Sequence, residues 1–119
     1  MSKSILRLPA SSAGGESGPI DPAKLISGQP MQETHNMFTN AAENFFCGVW
    51  RSEEGKWNIE YSEDEFCYMI SGEAIICSED GQCEAVKAGD AFAIPAGFKG
   101  TWESIGHAQK FYAIYEAAE

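Results

Sequence analysis

The feature that most constrains this chain is a repeated alternation, from residue 48 onward, of short apolar segments with turn residues. The apolar segments are rich in aromatic and β-branched residues, and no helical period of 3.6 residues persists through them. They occupy residues 49–50, 57–61, 66–70, 74–77, 83–86, 91–94, 100–103 and 109–115. Short strands at near-regular intervals, separated by Gly, Asp and Pro, predict an antiparallel sandwich or barrel.

The first 30 residues have a different composition, with Ser, Gly and Pro in clusters. A segment of this kind buries little surface, so we expect an extended, partly disordered arm over residues 1–30. Its short apolar pairs, Ile5-Leu6 and Leu25-Ile26, are each able to add a strand or an edge contact. The chain of 119 residues is too short for two ordinary domains, which predicts one domain over residues 31–119.

The charge balance excludes several classes of partner. Eighteen Asp and Glu against eight Lys and Arg give a formal net charge of −10. Such a surface repels the phosphate backbone of nucleic acids and an anionic membrane. The longest apolar stretches, such as residues 74–77, are far shorter than the ~20 residues of a spanning helix. Lys3 and Arg7 are not followed by an apolar signal segment, so the sequence predicts a soluble, cytoplasmic protein.

The cysteines and histidines do not have the spacing of a zinc site. No CxxC pair occurs, and His35 and His107 lie far apart in the sequence. Cys47 and Cys67 stand among apolar neighbours and are expected to behave as small hydrophobic residues.

The strongest hairpin signal is Asp80-Gly81, which joins two apolar segments. A two-residue loop would point Cys77 and Cys83 to opposite faces of the hairpin. A three-residue loop over residues 79–81 would make them direct cross-strand partners, near enough for a disulfide. Cytoplasmic proteins keep their thiols reduced, so the predicted location favours free thiols.

Two stretches carry a family resemblance, WNIEYSEDEFCYMISG at residues 57–72 and GDAFAIPAGFKGTW at residues 89–102. They resemble the two motifs of the RmlC-like cupin superfamily, and most closely the small single-domain cupins of the ethanolamine-utilisation and ureidoglycine-aminohydrolase-like family. The resemblance implies an all-β fold, a cupin double-stranded β-helix (jelly roll) with a cavity between its two sheets. The extended N-terminal arm expected from composition would precede it. It also implies a homodimer, because the family pairs its barrels through edge strands.

The same resemblance identifies the positions that hold the metal in metal-binding cupins. Glu65 occupies the glutamate position, the first two histidine positions fall on Asn58 and Glu60, and the last falls on Gly100. None of the three is a histidine, and imidazole supplies most of the affinity for transition metals, so we expect no metal and no other cofactor. The alternative is a divalent cation held by Glu60 and Glu65 with Asn58 and waters.

The resemblance implies that Glu65 faces the cavity, and the period of two in a strand then orients its neighbours. The expected lining is Asn58, Glu60, Glu65, Cys67, Met69 and Trp102. A polar cluster against a soft apolar wall is typical of a small-ligand pocket.

The two carboxylates, Glu60 and Glu65, then have three possible roles. They bind a cation, or they bind an amine or urea-like substrate and share a proton as acid and base in a hydrolase- or lyase-type reaction. In the third interpretation Glu60 is solvated, Glu65 is satisfied by backbone donors or a lysine, and the protein is a binding or structural module. We expect a small nitrogenous ligand, with Glu60 and Glu65 catalytic and the other four residues binding it. Lys99 and Lys110 are expected on the surface.

Overall fold

A computed structural model of the chain describes residues 3–11 and 14–117. Within these residues every regular element is a strand, and no helix is long and apolar enough to cross a membrane. The strands are β1 (Glu16–Pro19), β2 (Leu25–Gly28), β3 (Met31–Thr39), β4 (Phe45–Ser52), β5 (Gly55–Glu60), β6 (Asp64–Ser78), β7 (Cys83–Lys87), β8 (Ala91–Ile94) and β9 (Lys99–Tyr115). All their pairings are antiparallel, which confirms the predicted all-β class.

Two long strands, β6 and β9, hold the fold together because each belongs to both of its halves. The first half of β6 pairs with the second half of β9, and there the sheet continues to β8 on one side and to β4, β3 and β1 on the other. The second half of β6 pairs with the first half of β9, and that sheet continues to β7, β5 and β2. The sheet curls on itself at the junction, as the predicted jelly roll requires.

Glycines permit the bend between the two halves. Gly72 has φ 79° and Gly106 has φ 68°, a conformation that side chains with a Cβ rarely adopt. A Cβ on Gly72 would also lie 2.0 Å from the carbonyl oxygen of His107. The sequence predicts turns between segments 66–70 and 74–77 and between segments 100–103 and 109–115, whereas β6 and β9 continue through both places with shifts of register.

Alternation along β6 decides which side chains enter the core. Glu65, Cys67 and Met69 are buried, whereas Phe66 and Tyr68 between them are exposed. The core consists of Ile20, Trp57, Cys67, Met69, Ala74, Ile76, Val86, Ile94, Trp102 and Ala108. These side chains come from both halves, so the core lies between them.

Residues 1–30 include two of the strands. β1 pairs with β3, and β2 pairs with β5, which confirms the edge contact predicted for Leu25-Ile26. Residues 3–11 form no strand, and Ile5 there is 95% exposed. The carbonyl oxygen of Ala10 accepts hydrogen bonds from the side chains of Arg51 and Gln109.

The hairpin between β6 and β7 has the three-residue loop. The amide of Ser78 donates to the carbonyl of Gln82 at 2.8 Å, and Gly81 has φ 93°. Cys77 and Cys83 are consequently direct cross-strand partners, and the structure joins them in a disulfide. The prediction of free thiols was wrong. It was based on the expected cytoplasmic location, whereas the three-residue loop places the two cysteines directly opposite each other.

We expect reduction of the Cys77–Cys83 disulfide to lower the free energy of unfolding by about 2 kcal/mol, because a closed loop of this size restricts the unfolded chain. Urea unfolding with and without a reductant measures the difference. The double variant Cys77→Ser/Cys83→Ser should show the lower stability and no response to reductant. Detection of four free thiols in denatured, unreduced protein would contradict the pairing.

Candidate functional site

A cavity of about 560 Å³ lies between the two halves of the fold. Strands β3, β4, β5, β6 and β9 and the connection after β5 contribute to its walls, which are mostly aromatic or uncharged. The lining residues are Gln32, Thr34, Asn36, Phe46, Trp50, Trp57, Ile59, Tyr61, Glu63, Glu65, Trp102, Lys110, Tyr112 and Ile114. The charged side chains of this lining are Glu63, Glu65 and Lys110.

A buried ion pair forms part of the cavity wall. The Lys110 Nζ lies 3.0 Å from the Glu65 Oε2, and the two side chains are 5% and 7% exposed. The same ammonium donates to the Cys67 Sγ at 3.4 Å. A buried carboxylate requires a partner, and Lys110 is that partner.

Two indole rings complete the surroundings of the ammonium. The Lys110 Nζ lies 4.4 Å from the ring centroid of Trp102 and 5.0 Å from that of Trp50, within cation–π range. Burial by itself lowers the pKa of Lys110, but Tyr61, Glu65 and Cys67 outweigh burial and the pKa is raised. Lys110 therefore remains a fixed positive charge in the wall.

Hydrogen bonds hold both indoles in position. The Trp102 Nε1 donates to the Ser104 Oγ at 2.9 Å, and Ser104 shares a buried 2.6 Å hydrogen bond with Ser52. The Trp50 Nε1 donates to the Gln32 Oε1 at 3.0 Å. The two rings meet nearly edge to face, with centroids 5.4 Å apart. Both indoles are thus held in fixed positions in the cavity wall.

Two phenols and a second carboxylate complete the chemistry of the cavity. The Tyr112 hydroxyl donates to the Asn36 Oδ1 at 2.9 Å, and burial raises the pKa of Tyr112 to about 12. Burial also raises the pKa of Tyr61, with Lys110 opposing the effect and Glu65 adding to it. Burial and the neighbouring carboxylates raise the pKa of Glu63. Both phenols keep their protons at neutral pH and can act as hydrogen-bond donors.

The structure brings together some of the predicted site residues. Glu65 and Trp102 line the cavity, and Cys67 lies behind the ion pair in contact with Lys110. Met69 is fully buried in the core on the same strand and does not belong to the cavity lining. All four side chains are buried inside the fold, and their roles in catalysis and ligand binding stay predictions.

Asn58 and Glu60 do not face Glu65. Both are exposed, and they line a separate pocket of about 250 Å³ that also includes Lys99. On β5 the inward side chains are Trp57 and Ile59, and Tyr61 follows them into the cavity. A difference of one residue in the spacing between β5 and β6 exchanges the two faces of the strand, and the predicted orientation was wrong for this reason.

Sequence reasoning missed Lys110, which it placed on the surface. One signal was present, because Lys110 is flanked at intervals of two by Ala108, Tyr112 and Ile114 in an otherwise apolar segment. This period places its side chain on the buried face of a strand. The need of a buried Glu65 for a cation points to the same lysine.

The donor set does not fit a metal. Of the positions assigned to metal ligands by resemblance, Glu65 faces the cavity, and the ammonium of Lys110 is already beside its carboxylate. Asn58 and Glu60 point elsewhere, so the alternative cation site between Glu60 and Glu65 is not assembled. Among residues 3–11 and 14–117, no three His, Cys, Asp or Glu side chains are grouped as metal ligands.

Comparison with known proteins relates the chain to one family and its fold. The family model of the EutQ-like cupin domain matches residues 39–112, more than half of the chain. A protein of unknown function from Pseudomonas syringae is 28% identical, with a TM-score of 0.81 over 90% of this chain and 46% of its own. No curated protein sequence matches the chain significantly.

Two other solved structures support the same fold. The EutQ protein of Clostridium difficile is 24% identical, with a TM-score of 0.65 over 74% of this chain and 64% of its own. A DUF861 family protein from Thermotoga maritima is 26% identical, with a TM-score of 0.53 over 54% of this chain and 73% of its own. The chain spans less than two thirds of the length of the Pseudomonas and Clostridium proteins.

We expect Lys110→Met to lower the free energy of unfolding by about 3–5 kcal/mol, because it leaves the buried Glu65 carboxylate without its cation. The double variant Glu65→Gln/Lys110→Met should recover much of this loss, since neither charge remains buried. Urea unfolding of wild type, both single variants and the double variant completes the cycle. Additive losses would show that the two side chains do not interact.

Stability should also fall at alkaline pH. Burial raises the pKa of the Cys67 thiol from its ordinary 9.0 to about 12. Between pH 9 and pH 12 the thiol loses its proton in the unfolded chain but keeps it in the folded protein. The contribution of this thiol to the free energy of unfolding is therefore fully present below about pH 9 and is lost as the pH rises toward 12. The raised pKa values of Tyr112 and Lys110 act in the same direction.

Thermal unfolding measured between pH 8 and pH 11 tests this dependence. Cys67→Ala should lose less stability over the range than wild type. Cys47→Ala is the matched control, because Cys47 is only half-buried and its substitution should change the dependence less. A wild-type stability that is constant over the range would contradict the burial of these groups.

Proposed function

Since the chain belongs to the EutQ-like cupin domain family, we propose that its cavity binds a small nitrogenous metabolite, an amine or a ureido compound. The observation that carries this proposal is the charge of the cavity wall. Glu63 and Glu65 oppose the single positive charge of Lys110, so the lining has an excess of one carboxylate. An N–H donor or a cationic nitrogen on the ligand would compensate that carboxylate.

The aromatic wall supports the same class of ligand. Trp50, Trp57 and Trp102 line one cavity together with Tyr61 and Tyr112. The faces of such rings attract cations and stack on planar groups such as a ureido group. The phenol hydroxyls add donors for a carbonyl oxygen. The resemblance of the motifs to ureidoglycine-aminohydrolase-like cupins makes ureido compounds the first to be tested beside simple amines.

The protonated side chains around the cavity favour binding of the ligand without its chemical conversion. The pKa values of Lys110, Tyr61 and Cys67 are all raised, so each keeps its proton at neutral pH and none is ready to accept one. A thiol with a pKa of about 12 is also a poor nucleophile at pH 7. The catalytic roles of Glu60 and Glu65 in a hydrolase- or lyase-type reaction stay predictions.

A thermal-shift screen of amines, ureido compounds and amino acids tests the proposal. A ligand at 100 times its dissociation constant should raise the free energy of unfolding by about 2.7 kcal/mol. Glu63→Gln should weaken a cationic ligand, because it removes the excess carboxylate while leaving the Glu65–Lys110 pair intact.

Glu60→Gln is the matched control for Glu63→Gln. It makes the same chemical change on the outside of β5, so the affinity of the ligand should stay as in wild type. Equal losses in the two variants would place binding outside the cavity. Absence of stabilisation by every amine and ureido compound would overturn the ligand class.

A further inference from the structure

The cavity between the two halves is larger than a small amine or a urea-sized ligand requires. Its volume of about 560 Å³ lies within the range of ~300–1,000 Å³ that is typical of pockets for drug-sized ligands. Methylamine, ethylamine or urea would leave most of this space to water. The volume therefore indicates a ligand whose nitrogen is attached to a larger body.

The accessible part of the cavity wall determines what kind of body fits. The half-buried apolar side chains of the lining, which we call the accessible wall, are Phe46, Trp50, Ile59, Tyr61 and Ile114. Displacing water from such side chains is favourable in proportion to the apolar area that is covered. Aromatic rings gain further from stacked or edge-to-face contacts with other rings. A ligand with an aromatic ring therefore fits this wall better than an aliphatic ligand of equal charge.

A carboxylate lies at the same end of the cavity as the accessible wall. Phe46 is directly opposite Ile114 in the sheet, and Ile114 is directly opposite Glu65. Tyr61 hydrogen-bonds to the Glu65 side chain, and Glu63 follows Tyr61 by two residues. Glu63 also interacts electrostatically with Glu65. The accessible wall and the Glu63 carboxylate are therefore within reach of one short ligand.

The charges of the lining favour a cation and disfavour an anion. Lys110 is the cationic side chain among the described residues that line the cavity, and its ammonium lies 3.0 Å from the Glu65 carboxylate. Glu63 is the carboxylate in excess. A carboxylate on the ligand would add a second excess negative charge to this lining, and burying an uncompensated charge is costly. An amine is therefore favoured over the amino acid that carries the same ring.

We propose that the cavity binds an arylalkylamine, in which a short alkyl chain joins a primary ammonium group to an aromatic ring, and that it rejects the corresponding amino acids. This inference rests on the proposed function, since it names the kind of amine that the cavity takes. The ammonium group pairs with Glu63, and the ring lies against Phe46, Ile59 and Ile114. All four side chains line the cavity, so one ligand contacts them together.

Four probes of related shape test this inference in an NMR titration at pH 7, where a primary amine is charged. We expect 2-phenylethylamine to bind at least tenfold more tightly than ethylamine, which has no ring, and than phenylalanine, which adds a carboxylate. It should also bind at least tenfold more tightly than 2-phenylethanol, which keeps the ring but has no charge. A tenfold difference corresponds to about 1.4 kcal/mol of binding free energy. Equal affinity for 2-phenylethylamine and phenylalanine would overturn the rejection of amino acids.

The ring current of the bound probe reports where its ring lies. Binding of 2-phenylethylamine should shift the methyl signals of Ile59 and Ile114 by more than binding of ethylamine does. The methyl signals of Ile26 are the control, because Ile26 is 47% exposed on β2 and does not line the cavity. Shifts at Ile26 without shifts at Ile59 and Ile114 would overturn the placement of the ring.

A variant of the accessible wall separates the contribution of the ring from that of the charge. Phe46→Ala should weaken the binding of 2-phenylethylamine at least fivefold and leave that of ethylamine within twofold, because it removes a ring but no charge. Phe66→Ala is the matched control, since Phe66 is 50% exposed on the outer side of β6. Thermal unfolding without ligand shows whether both variants fold, and the methyl shifts of the wild type decide if Phe46→Ala does not. Equal weakening in the two variants would overturn the role of the accessible wall.

The outcomes distinguish this inference from the proposed function. If 2-phenylethylamine binds no more tightly than ethylamine, or if only ureido compounds bind, the inference is wrong and the proposed function stands. If neither an amine nor a ureido compound binds, both are wrong.

Discussion

The interaction on which the rest of the site depends is the buried ion pair of Glu65 and Lys110. An ion pair removed from water is costly unless further polar contacts surround it, and here Cys67, Trp50 and Trp102 do so. The two residues lie on the neighbouring strands β6 and β9, four positions apart in register, so only two long side chains can meet. Pairing of the long strands, burial of the pair and placement of the indoles consequently require one another. The cavity wall is charged at this point because the register of β6 against β9 fixes the positions of both residues.

Much of the fold follows from the sequence, because the spacing of apolar segments and turn residues is a local property. The all-β class and the three-residue loop before Cys83 were within reach of this reasoning. The continuity of β6 and β9 was not. A glycine with positive φ looks the same in a sequence whether it ends a strand or bends it, and at Gly72 only the close approach of His107 across the sheet decides for a bend.

The candidate site was predictable only where a strand's own alternation fixes the orientation of its side chains. On β6, for example, an inward orientation of Glu65 implies the same orientation for Cys67, two residues later. Glu60 does not, because residues 61–63 separate it from β6 and one residue more or less in that connection exchanges the faces. Lys110 is 45 residues beyond Glu65, and their contact depends on which strands pair. The position of the lysine is therefore a property of the assembled sheet rather than of its neighbourhood in the sequence.

The sharing of β6 and β9 between both halves of the fold has a consequence for how the molecule opens. In a sandwich of two separate sheets, one sheet can fray while the other keeps its hydrogen bonds. Here the strand that carries Glu65 continues without interruption to Cys77 at the tip of a hairpin in the other half. When the strands of one half separate, β6 and β9 also lose hydrogen bonds in the other half. The barrel therefore opens as a single cooperative unit. Amide protons of β4 and of β5, two strands that do not pair with each other, are then protected by the same event.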